Sequence, residues 1–345
     1  MQFCGLHCQF KQIPANRSRH FITIYEVSLK KNIILLLLSA AVYSCGGDSQ
    51  TGLARKEFDT ENYANTIKIL ENVIASDSTN VNALELLCRS YLKLDKTDRA
   101  VETLQSLRRQ KPDNKFAISQ LSQIWLKKGN NARESGDLRK ALGFYDQAEN
   151  IAPNTFDVPY EKGQAYLSNS FLDYAHEQME KASKVAPDDP RPREKLVLIS
   201  SKKTEAEKLT EEGSTLYKKG RWRNAEKKLN KAISVNGQNK DSKYYLHMAR
   251  GRRLYKKGSV AAIWDAITDF GLASSIRAEE AEPIYYMAQC YEKKNKKDFT
   301  LTVETYRRVV DLAPGTKLAK KSSKRINYLL AKKKKLEQFW GKKKK

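Results

Sequence analysis

Two prolines 34 residues apart, Pro153 and Pro187, close two stretches written in one residue frame, and nothing else in this 345-residue chain narrows its possible folds so far. In the first stretch Trp125 and Gly129 precede Ala141, Tyr145 and Ala148; in the second Gly163 and Tyr166 precede Ala175, Met179 and Ala182. A fixed period in this range marks stacked supersecondary units, each too small to bury its own apolar face. Within each unit the apolar residues recur at three and four, so each half is predicted to be an amphipathic helix. Large side chains on the first helix then fill the space left by a small alanine on the second, and proline ends the pair because it cannot continue a helix.

The frame is most complete in Val81 to Asn114, as Leu84, Leu87, Cys88 and Tyr91, then Ala100, Leu104 and Leu107, then Pro112. A fifth copy carries Gly213, Ala225, Leu229 and Ala232; a sixth has Gly251, Ala266, Phe270 and Ala273, with a lengthened turn near Lys257-Gly258. The seventh reads Met287, Ala288 and Tyr291, then Thr302, Tyr306, Val309 and Pro314, with Thr302 where the others place alanine. Ahead of all of them Tyr63, Thr66, Leu70, Val73 and Ser78 fit the second helix of a degenerate first copy. About seven extra residues around Phe116 to Leu121, and a helical piece over Pro190 to Lys203 containing Leu196, Val197 and Ile199, read as insertions, the second as a possible half-repeat. Alternating Val, Ile and Thr runs are missing, so the predicted class is all-α.

These residues resemble the tetratricopeptide repeat (TPR) family. The resemblance covers roughly 47–330 and implies a right-handed superhelical solenoid of about seven helix-turn-helix repeats, at 47–80, 81–114, 122–155, 156–189, 206–239, 244–280 and 281–316. A capping helix is expected at 316–331, where Leu318, Ile326, Leu329 and Leu330 keep helical spacing, and a basic tail at 332–345. In that family the first helices of successive pairs line a groove that receives a segment of another protein. Carried over position by position, the groove would be formed by Glu85, Arg89 and Lys93, by Tyr160 and Gln164, by Ser214 and Tyr217, by Arg252 and Tyr255, and by Tyr285 and Gln289. Tyr and Arg suit such a surface, Tyr for its contact area at small entropic cost and Arg for its bidentate grip on carboxylates; inter-repeat packing would use the same tyrosines. The Lys, Asn and Arg clamp that some relatives use for a chaperone tail is not repeated here. Lys127 and Asn130 occur in the third copy, but Tyr160, Glu161 and Gln164 follow in the fourth.

The first fifty residues point elsewhere. Lys30-Lys31 precede the apolar run Ile33 to Leu38, which continues to Ser44-Cys45. The run is too short to span a bilayer, a passage that needs about 20 apolar residues, and reads as a signal peptide over 1–44. Val42-Tyr43-Ser44-Cys45 resembles the lipobox of bacterial lipoproteins, although Tyr43 is bulkier than that pattern prefers. The resemblance implies lipidation of Cys45, a tether at 45–50, and a solenoid over 51–315. The long segment Met1 to Ser28 ahead of the signal suggests a translation start nearer Leu29. Its Cys4, His7, Cys8 and His20 match no common zinc spacing.

The formal charge is +24. The last thirty residues hold thirteen Lys or Arg against the one acid Glu337, so half the excess lies in that C-terminal stretch. Lys332, Lys333, Lys334 and Lys335, then Phe339-Trp340, then Lys342, Lys343, Lys344 and Lys345 would suit an anionic lipid or envelope polymer. Nucleic acid is not expected if the chain is exported. Catalysis is not expected either: His176 and His247 lie far apart in the frame, no phosphate-binding glycine loop follows a strand, and no nucleophile elbow occurs. No cofactor and no metal is implied. The expectation is a non-enzymatic, lipid-anchored scaffold of a bacterial cell envelope, in the outer membrane facing the periplasm, with protein partners in the groove. The alternative is a surface-binding protein whose basic tail grips anionic lipid or polymer.

Overall fold

The computed structural model describes residues 49–294 and 299–343, with side chains to Phe339. Every regular element among them is an α-helix. Helix α1 spans 49–59, and the others follow as α2 (Tyr63–Ser76), α3 (Val81–Lys93), α4 (Thr97–Gln110), α5 (Lys115–Glu134), α6 (Leu138–Ile151), α7 (Asp157–Ser168) and α8 (Leu172–Val185). Then come α9 (Pro190–Lys218), α10 (Trp222–Val235), α11 (Lys240–Lys257), α12 (Val260–Ile276), α13 (Ala281–Lys294), α14 (Thr300–Leu312) and α15 (Lys317–Lys343). They form seven consecutive helix pairs and a terminal helix, as the residue frame predicted. The chain divides into two compact units between Ile124 and Trp125.

In the first unit α2 packs on α3 and α3 on α4. Leu70, Cys88, Ala100, Leu104 and Leu107 are fully buried there. In the second unit each helix from α6 to α15 touches its successor, and α11 also touches α9 and α13. Most helices in these pairs have 12–14 residues, a length marginal in isolation, so their stability comes from shared buried faces.

Small-to-large contacts hold these pairs together, here with the small residue on the first helix and the large one on the second, the reverse of the sense read from the sequence. A Cβ on Gly213 would stand 2.6 Å from Leu229 Cγ, and one on Gly251 would stand 2.7 Å from Phe270 Cε1. Only glycine lets the two helices approach so closely; Tyr145 and Met179 occupy the corresponding places opposite Gly129 and Gly163. Six turns within pairs share a second device, one residue in the left-handed region: Glu61, Asp95, Gly136, Ser170, Gly220 and Gly258. A left-handed residue closes a helix by directing its orphan carbonyls to following N–H groups.

The two sequence insertions are not separate pieces. Residues 116–121 belong to α5, which starts early because Asn114 caps it, its Oδ1 accepting from the Ala117 N–H at 2.8 Å. Pro190 to Lys203 is the first half of α9, a single 29-residue helix. Pro190 and Pro192 lie in its first turn, where a missing N–H costs nothing, and no Gly or Pro interrupts it before Gly213. Ile199 is fully buried and Leu196 packs beside it, whereas Val197 is exposed. The expected capping helix and basic tail are likewise one helix, α15, continuous to Lys343.

Candidate functional site

The second unit gathers its aromatic and cationic side chains along α9, α11 and α13, the first helices of three successive pairs. Thr210 and Ser242 share a buried hydroxyl contact of 2.6 Å that pins α9 to α11. Three cavities open beside these helices. One of about 300 Å³ is lined by Thr210, Ser214, Tyr245 and Arg277 among others. A second, of about 360 Å³, shares Tyr245 and Arg277 with it and adds Tyr217, Trp222, Tyr244, Arg252 and Glu282. A third, of about 510 Å³, is lined by Tyr255, Tyr285, Gln289, Tyr306, Lys321 and Arg325.

Buried tyrosines give the middle cavity its walls. Tyr217 donates its hydroxyl to Glu282 Oε1 at 2.7 Å, and burial together with that carboxylate pushes its pKa well above the usual phenol range. Burial also raises Tyr244 and Tyr286. All three therefore stay neutral donors at any physiological pH. Arg277 lies 4.4 Å from the Tyr244 ring centroid and is held by Asp241 at 2.8 Å. Burial disfavours its charge, but the hydrogen bond to Asp241 and that residue's charge more than offset this. Arg252 lies over two rings, 4.0 Å from Tyr286 and 4.8 Å from Trp222, and donates to the Tyr286 hydroxyl.

Six positions inferred from the repeat register thus line these cavities: Ser214, Tyr217, Arg252, Tyr255, Tyr285 and Gln289. The others lie elsewhere. Tyr160 is buried with Leu172 and Ile199, stacked 5.3 Å from Phe156 under Arg191, so its ring serves packing rather than a groove wall. Gln164 is half-buried on the same helix. In the first unit Glu85 accepts from Asn114 Nδ2 at 2.7 Å, which ties it to the cap of α5, and Arg89 covers the Phe116 ring at 4.2 Å. Lys93 is exposed. Trp222, Tyr244, Tyr286 and Arg277 escaped the sequence reading. Trp222 opens α10 and Arg277 closes α12, both at helix ends outside the repeat frame, and the signal for Trp222 was an aromatic flanked by cations in Arg221-Trp222-Arg223.

Residues 57–123 match a family model described as tetratricopeptide repeat. Over that segment the repeat is of the tetratricopeptide type. The chain is also similar to the Photosystem I assembly protein Ycf3 of Synechococcus sp. (strain CC9311), with 31% identity over 91 residues, 26% of this chain and 50% of that protein. It thus spans about half the length of that curated relative. Among solved structures it is similar to the TPR domain of P58(IPK), with a TM-score of 0.34 and 13% identity over 83% of this chain and 98% of that one. A tetratricopeptide repeat protein from Parabacteroides merdae gives a TM-score of 0.32 and 13% identity, covering 81% and 97%.

Away from these cavities, Lys332, Lys333, Lys334 and Lys335 are exposed on α15, with Lys332 Nζ 5.2 Å from the Phe299 ring. Lys342 and Lys343 fall in the helical backbone, while Lys344 and Lys345 lie outside the described residues, as do Cys45, the signal and the tether. His247 Nδ1 lies 2.9 Å from Asp269, which also takes a bidentate contact from Arg250. Cys88 and Cys290 are buried free thiols, both pushed by burial to about 12. Among the described residues no group of three or more His, Cys, Asp or Glu is placed to hold a metal, and no helix is long and apolar enough to cross a membrane.

Proposed function

We propose that this protein is a non-catalytic scaffold that holds a segment of a partner protein against α9, α11 and α13. The observation that carries this reading is the alignment of Ser214, Tyr217, Arg252, Tyr255, Tyr285 and Gln289 along three cavities beside consecutive first helices. Open, elongated and rich in Tyr and Arg, this surface suits a peptide better than a small molecule, whose sites are enclosed and mostly apolar. Photocrosslinkers placed at Tyr217 and Tyr255 in cells should capture one discrete partner, and the same groups on the outer helices α10 and α12 should not. Equal capture from both sets rules the groove out.

The proposal extends to location. The basic start, the apolar run and Val42-Tyr43-Ser44-Cys45 support a chain lipidated at Cys45 and held in a bacterial envelope, and Gly46 after the cysteine favours the outer membrane facing the periplasm. Radiolabelled fatty acid should enter the wild-type protein and not a Cys45→Ala variant. A second reading, binding of anionic lipid or envelope polymer, is favoured by the run of exposed lysines on α15. Deleting 332–345 should abolish sedimentation with anionic vesicles under that reading, and leave groove crosslinks intact.

A further inference from the structure

Helix α11 carries three arginines within four residues, and they are not treated alike. Arg250 grips Asp269 with Nε 2.8 and 2.7 Å from its two oxygens, and Arg253 grips Glu226 at 2.5 and 3.1 Å. Arg277, on the far wall of the middle cavity, has Asp241 and Glu280. Arg252 has no carboxylate within 4.0 Å among the described residues. What it has instead is an aromatic cradle, the Trp222 and Tyr286 faces and the Tyr286 hydroxyl, which fixes its guanidinium plane without neutralising it. The two acids that line the same cavity are engaged elsewhere, Glu282 by the Tyr217 hydroxyl and Glu280 by Arg277.

The surroundings carry the same sign. Gly220 and Trp222 are shared with a neighbouring cleft of about 490 Å³ lined by Arg221, Arg223, Arg253 and Lys256, with no acid in its wall. Among the described residues Arg221, Arg223, Lys256 and the cavity's own Lys218 are paired with no carboxylate. Helix α10 begins in this cleft with no side-chain cap and no acid in its first turn, so its free N–H groups add further positive potential. A guanidinium locked between rings, with no carboxylate partner among the described residues and cations around it, is a preorganised seat for an oxyanion.

We propose that this cleft binds an acidic peptide segment, with one carboxylate on Arg252 between Trp222 and Tyr286 and further acids over Arg221, Arg223 and Lys256. The inference rests on the groove reading above and gives it a ligand chemistry. It is tested by fluorescence anisotropy with the full chain and three labelled peptides: a Glu-rich one, its Gln counterpart, and one with phosphoserine in place of glutamate. The Glu peptide should bind at least about tenfold more tightly than the Gln peptide, and lose affinity as salt rises. Arg252→Gln and Arg252→Lys should both remove most of that preference, since lysine keeps the charge but not the planar fork, and Arg307→Gln on α14 should leave it intact.

Equal binding of the Glu and Gln peptides to the wild-type protein, which needs no variant to fold, overturns the proposal. So does tight binding of the phosphopeptide alone, or equal competition by a single-stranded oligonucleotide of matched charge. If Glu and Gln peptides bind alike while crosslinks from Tyr217 persist, the carboxylate seat fails and the groove stands; if the crosslinks vanish as well, both fail.

Discussion

The pair α3–α4 in the first unit and the run α9–α13 in the second are built on the same repeat frame, yet they leave different groups free. In α3 the register positions that would face a partner are already used, Glu85 by the cap of α5 and Arg89 by Phe116. In α11 and α13 the corresponding positions open into cavities, and Arg252 has no carboxylate partner among the described residues. A repeat frame therefore fixes which residues are buried, while the neighbouring helix decides which polar groups remain available. Only the first of these is a property of the repeat itself.

The buried side of the comparison is the easier to break. Leu104 and Phe270 are fully buried on equivalent second helices, so Leu104→Ala should cost about 2–5 kcal/mol and Phe270→Ala about 3–5 kcal/mol in urea unfolding. A cost below about 1 kcal/mol at either site means that the frame does not hold that pair together.

Acid should separate the regions next. Arg250 and His247 hold the carboxyl of buried Asp269 below its usual value, against the opposing effect of burial. A depressed folded pKa contributes stability above the unfolded value near 3.8 and loses it as pH falls through the still lower folded value. Amide exchange followed from pH 5 to pH 2 should thus show α11 and α12 loosening in the acid range, and Asp269→Asn should flatten that dependence.

Smaller effects follow at the polar positions. Arg252→Gln should weaken acidic-peptide binding by about tenfold with little change in stability, whereas Arg89→Gln should remove only a cation–π contact of about 0.5–1 kcal/mol. Least of all should the two regions differ in their thiols. Cys88 and Cys290, both raised to about 12, should react slowly with a disulfide reagent at pH 8 until the chain is unfolded, which thiol titration reads directly.

Periodic residues made the pairs legible before any coordinates, because small-large contacts such as Gly251 with Phe270 repeat at fixed offsets. Boundaries were less so. Asn114 and Pro190 start their helices earlier than the period suggests, and both sites reward a start signal that a repeat template treats as insertion. Helical register brought Tyr217, Arg252, Tyr255 and Tyr285 to cavity walls, whereas Phe156 and Arg191 cover Tyr160. Trp222 and Arg277 were not legible from the period because each sits at a helix end, where tertiary contacts rather than residue spacing set the side chain's direction.

Hydroxyl-radical footprinting of the protein with and without its crosslinked partner reads the inner helices most directly, since tyrosines lie on both sides. Tyr255, Tyr285 and Tyr286 should be shielded on binding, while Tyr174 and Tyr328, each about half exposed away from the cavities, should oxidise as before. Shielding of Tyr174 or Tyr328 with Tyr255 and Tyr285 unchanged would place the partner elsewhere and contradict the groove.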